Sequence, residues 1–114
     1  MSARSSLWRP NPLTVAAFSV SSSGSNIIVV GSVNKSVRVY RMKMLAGAAV
    51  NITIKDTAGN VYDGPLPFGA NQGWILDFIG PDNPPWYITA LGTGFVISLD
   101  TGVTVGGSVE YVLS

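Results

Sequence analysis

Apolar residues occupy alternate positions over much of this chain, the period of a strand with one face in a core and the other in water. The clearest case is Ala48, Val50, Ile52 and Ile54, interleaved with Ala49, Asn51, Thr53 and Lys55. Trp74, Leu76 and Phe78 share one parity, as do Trp86, Ile88 and Ala90, and then Phe95, Ile97 and Leu99. Each set predicts a strand with the named residues inward, and Gly, Pro, Asn or Asp bounds each run. By that alternation Tyr87 falls on the outer face, next to the stiff "DNPP" loop. In the last strand Val103, Val105, Val109, Tyr111 and Leu113 stay in phase, while Gly106-Gly107 marks a bulge or a close approach by another backbone.

The segment "KSVRVYRMKML" breaks the rule, since Val37 and Val39 share one parity and Tyr40, Met42 and Met44 the other. Either a bulge near Tyr40 restores the face, or both faces of this strand are covered. Upstream, Leu13 to Val20 and Asn26 to Gly31 supply two more strands around a Ser-rich turn. Turns are expected at Ala58 to Asn60, at Asp63-Gly64-Pro65 before Leu66, at Gly92-Thr93-Gly94 and at Asp100-Thr101-Gly102. About eight strands at this spacing, with no competing amphipathic helix, predict an all-β fold, an antiparallel sandwich or barrel.

The opening "MSARSSLWRPNP" does not fit the pattern. Pro10 and Pro12 cannot donate to a ladder and they bias Arg9 and Asn11 toward extended backbone. Residues 1–12 therefore read as an extended arm ahead of a single sandwich domain over 13–114. Nothing within the arm can bury Trp8.

Composition narrows the function classes. Only 11% of residues are charged, against roughly 25% in average soluble chains. Such a surface is polar through Ser, Thr, Asn and Gly, or partly covered by something else. The seven basic residues, from Arg4 to Lys55, all precede the six acidic ones, from Asp56 to Glu110. Two explanations stand: basic and acidic strands pair inside one sheet, or a dipolar subunit complements its neighbour. The basic residues are not interleaved with aromatics as a nucleic-acid groove requires, so no nucleic acid is expected as a partner. The uncharged stretch from Pro10 to Asn34 is interrupted by Ser21-Ser22-Ser23-Gly24-Ser25-Asn26, leaving runs too short for a bilayer, and no membrane partner is expected.

No enzyme chemistry is expected. With no Cys and no His, triads of the usual kind have no base and thiolate metal sites have no ligand. Of the carboxylates Asp63, Asp77, Asp82 and Asp100, all but Asp77 lie in predicted turns, where Asp bonds its own backbone. Asp56, Asp63 and Asp82 match no calcium-loop spacing, and neither metal nor cofactor is called for.

From about Lys35 to Ser114 the chain resembles a module of small structural proteins of tailed bacteriophages. The segments that carry the resemblance are "KSVRVYRMKMLAGAAVNITIKD", "GPLPFGANQGWILDF", "PPWYITALGTGFVISLD" and "GGSVEYVLS". The resemblance implies a compact, jelly-roll-like β-sandwich of the kind found in capsid decoration, or cement, proteins. It also implies a homotrimer at local three-fold positions, bound to the major capsid protein on the virion surface after synthesis in the host cytoplasm. In that setting Arg4, Trp8, Arg9 and Pro10 form a reach toward a neighbour, an aromatic anchor flanked by cations. Two rivals remain: a tail, fibre or collar component, and a glycan-binding module in which Tyr87 is the surface contact for a sugar ring.

Overall fold

The computed structural model describes residues 13–77 and 84–114. The arm residues Arg4, Trp8, Arg9 and Pro10, together with Phe78 and Asp82, lie outside the described residues. Among the described residues nine strands follow in order: β1 (Thr14–Val20), β2 (Gly24–Val29), β3 (Val37–Ala46), β4 (Val50–Asp56), β5 (Val61–Phe68), β6 (Gly73–Leu76), β7 (Tyr87–Ile88), β8 (Phe95–Leu99) and β9 (Val105–Leu113). The first sheet runs β1-β9-β3-β6, with β7 also on β3, and the second runs β2-β8-β4-β5.

The pairings nest. β4 pairs with β5, β3 with β6 and β7, β2 with β8, and β1 with β9, all antiparallel. Successive pairs alternate between the two sheets, as one long hairpin does when it is wound over itself. That winding is the jelly roll, and the chain is an all-β, antiparallel β-sandwich of this kind. β6 and β7 lie end to end along one edge of β3, against Met42–Leu45 and Arg38–Val39 respectively.

Of the two alternatives for the third strand, the bulge near Tyr40 is present. The β3–β9 register slips between Val39 and Arg41, so Val37 and Val39 before it and Met42 and Met44 after it all face the core. Opposite them stand Ile52, Ile54, Phe95, Ile97 and Leu99 of the second sheet, each at most 2% exposed. Full burial of one such side chain contributes about 1.5–3 kcal/mol, so this interdigitated layer is the main stabilising feature.

Three expectations are corrected. Ala48 is exposed, because β4 begins only at Val50. Asp63-Gly64-Pro65 is not a turn but a bulged stretch of β5: Ile52 pairs with Leu66 and Ile54 with Asp63, which leaves one extra residue on the β5 side. Gly64, at φ 97°, provides the left-handed backbone that this bulge needs. An edge strand also tolerates Pro65 and Pro67, which a central strand would not.

The third correction concerns Tyr87. Val39 faces the core and pairs with Tyr87, so Tyr87 is inward and 8% exposed, while Trp86 and Ile88 point out. Three interactions fix this parity. The Tyr87 hydroxyl donates to Asp63 Oδ2 at 2.8 Å. Its ring lies 6.1 Å from that of Phe95. Thr89 Oγ1 accepts the Val37 N–H at 2.8 Å. Tyr87 is therefore not a surface contact.

Candidate interaction surface

The outer face of the first sheet is built from the residues that alternate with the core. From β1 it takes Val15, Ala17 and Ser19, and from β9 Gly106, Ser108 and Glu110. β3 adds Arg41, Lys43 and Leu45, and β6 adds Gly73 and Ile75. Register places them in rows: Val15, Glu110 and Arg41 in one; Ala17, Ser108, Lys43 and Ile75 in the next; Ser19, Gly106, Leu45 and Gly73 in a third.

This face is unusually apolar for one turned to water. Val15 is 62% exposed, Leu45 53% and Ile75 71%. A groove of about 620 Å³ runs between β6, β3 and β9, with Leu45, Ile75 and Lys43 on its walls and Gly73 and Gly106 leaving it shallow. A second hollow of about 410 Å³ adjoins it through Lys43 and Ile75 and reaches Val15, Arg41 and Glu110.

The charges on this face are largely neutralised among themselves. Arg41 Nε lies 2.9 Å from Asp77 Oδ1 and Arg41 Nη1 lies 2.8 Å from Glu110 Oε2. Such exposed pairs add roughly 0–1 kcal/mol to folding, but they lower the cost of covering the surface by leaving little net charge to desolvate. The pair with Glu110 joins neighbouring strands of one sheet, as the first of the two readings of the charge asymmetry expects.

A second polar constellation is structural. Asp56, 1% exposed at the end of β4, accepts from the backbone N–H groups of Ala58 and Asn60 on one oxygen, and from Asn60 Nδ2 and the Tyr62 hydroxyl on the other. The Ala90 N–H donates both to that oxygen and to the Tyr62 hydroxyl, tying the β4–β5 turn to the β7–β8 loop. Burial pulls the carboxyl upward, but the hydrogen bonds from Tyr62, Asn60 and Ala90 outweigh it and hold the group down at about 2.

The remaining carboxylates are dispersed. Asp100 takes both the backbone and side-chain N–H groups of Asn51, which lower its pKa, and Asp63 takes the Tyr87 hydroxyl. Tyr87 is shifted upward, first by burial and then by Asp63. Among the described residues no group of three or more carboxylates is placed to hold a metal ion.

The sequence did not single out Val15, Leu45 or Ile75. Their signal was present as apolar residues on the parity opposite the core set, for example Ile75 between Trp74 and Leu76. Neither a protein-family model, nor a curated protein, nor a solved structure matches the chain.

Proposed function

We propose that this chain is a non-enzymatic structural protein of a phage particle, which decorates the capsid and stabilises it by bridging neighbouring capsid subunits as a homo-oligomer. The observation that carries this reading is the apolar, charge-neutralised outer face of the first sheet, with Leu45 and Ile75 exposed around one groove and Val15 in the hollow that adjoins it. Contiguous exposed apolar surface on a small domain marks a place where another protein sits. A jelly roll is also the architecture that the phage resemblance implies. The partner is then the major capsid protein and the location the virion surface. Bound copies stabilise the shell by mass action, since they bind the assembled lattice and not its dissociated subunits.

The test is co-sedimentation with shells assembled from the major capsid protein encoded alongside this chain. Replacing Ile75 with Lys leaves the melting temperature unchanged, because Ile75 is solvent-exposed, and is expected to reduce shell binding at least tenfold. Binding equal to that of the unmutated chain removes this face from the function. A glycan reading is carried now by Trp86 alone, 39% exposed behind Pro85. Glycan-array binding that is lost in Trp86→Ala would favour it over the shell.

A further inference from the structure

The two sides of the sandwich differ in how their strand edges are protected. On one side β5 carries Pro65 and Pro67, and β6 and β7 are four and two residues long. Prolines and short strands are devices that keep an edge from pairing with another chain. On the other side the edges are β1, TVAAFSV, and β2, GSNIIV, with neither a proline nor a charged residue between them. Among the described residues β1 pairs with β9 alone and β2 with β8 alone.

The core is also open there. Ala16, Phe18, Val20 and Ile28 point inward yet are only partly buried, whereas Val105, Val109 and Ile97 on the adjoining strands are fully buried. Among the described residues, half-covered apolar side chains lie beneath the outer edge of β1, and this side has neither a further ladder partner nor a lid.

We propose that a second copy of the chain docks on this side, β1 against β1, antiparallel across a twofold axis at Ala17. About that axis Ala16 faces Phe18 of the second copy, Val15 faces Ser19 and Thr14 faces Val20. Directly opposed residues in an antiparallel pair share a face, so each large side chain meets a small or shorter one. The inward Phe18 is then covered by the second copy. A twofold axis also brings every group opposite its own kind or a near neighbour, which repels when the edge is charged; this edge carries no charge. Seven residues give a ladder about 23 Å long.

The proposal rests on the homo-oligomer part of the functional reading alone and makes that oligomer a twofold pair, in place of the homotrimer that the resemblance implies. Sedimentation velocity of the full chain across a micromolar concentration series is expected to show the mass doubling. Ala17→Lys places two ammonium groups together at the axis. Ala17 is exposed on the outer face, so this variant keeps its melting temperature and remains a single copy. Val61→Lys, on the β5 edge, still doubles. In the unmutated chain, hydrogen exchange at β1 amides slows at least tenfold as concentration rises, while β5 amides do not change. A mass that stays at one copy, or reaches three, overturns the pairing, as does doubling that persists in Ala17→Lys without added β1 protection. A chain that doubles but ignores shells defeats the shell reading and leaves this edge intact. A chain that binds shells as single copies defeats the edge alone.

Discussion

Asp56 fills its hydrogen-bonding capacity at the end of β4 with donors from Ala58, Asn60, Tyr62 and Ala90. Its folded pKa, about 2, lies below the 3.8 of the unfolded chain. The group therefore adds stability that is complete above pH 3.8 and is lost as pH falls toward 2. A shift of that size corresponds to about 2 kcal/mol. Asp56→Asn is expected to lose stability of that order at pH 7 in urea titrations, with the gap from the unmutated chain closing near pH 2. An unchanged gap across this window would mean that the carboxylate charge is not what the donors hold. Gly107 makes a different kind of demand. A Cβ there would overlap the Lys43 carbonyl oxygen, whereas one on Gly106 would come no nearer than 3.6 Å to Phe18 O. Gly107→Ala is expected to cost at least ~2 kcal/mol, because β9 and β3 must separate, and Gly106→Ala less than about 1 kcal/mol. Equal costs in thermal melts would contradict the close approach. The sequence marked the Gly-Gly pair as a bulge or a near backbone; only the packed sheets show that one of the two glycines is required.

Among elements, β3 and β9 form the spine of the first sheet, and β4 and β8 that of the second, since each has a ladder partner on both sides. In single copies their amides are expected to exchange slowest, and those of β1 and β2, with one open edge each, markedly faster. Uniform rates over all the strands would show that the edges are covered in solution even at dilution. The alternation at Val50 to Ile54 was legible because one parity is apolar and the other polar. At Trp86 to Ile88 it was not, because Trp86, Tyr87 and Ile88 are all large and apolar-bodied, and parity then has two equivalent solutions. Pairing of Val39 with Tyr87 and the Asp63 acceptor selected one of them. β5 was hidden for another reason. Gly64-Pro65 carries the local signal of a turn, and that signal was overridden by a ladder with β4 that can absorb a bulge.

At the scale of the whole molecule, the proposed function makes the arm of residues 1–12 and the sandwich separable, and a truncation tests this. Deleting residues 1–12 is expected to leave the sandwich folded, with an unchanged far-ultraviolet spectrum, because all nine strands of the described residues begin at or after Thr14. Shell attachment by the truncated chain is expected to weaken, and attachment at full strength would remove Trp8 from the interaction. The low charge content, which the sequence stated outright, takes on meaning here. Few ions have to be desolvated when the outer face of the first sheet and the β1 edge are covered, and the Arg41 pairs with Asp77 and Glu110 remove part of what remains.

The sequence by itself determined the all-β class, most of the strands and most of the core, and it narrowed the third strand to a bulge near Tyr40 or two covered faces. Each of these follows from local alternation and from turn residues acting over a few positions. Only the tertiary structure decided the jelly-roll winding, the burial of Tyr87, the continuation of β5 through Gly64-Pro65, and the exposure of Val15, Leu45 and Ile75 on one face. These depend on which strands become neighbours, and strand pairing joins residues far apart in the chain, such as Thr14 and Tyr111, whose meeting no local period encodes.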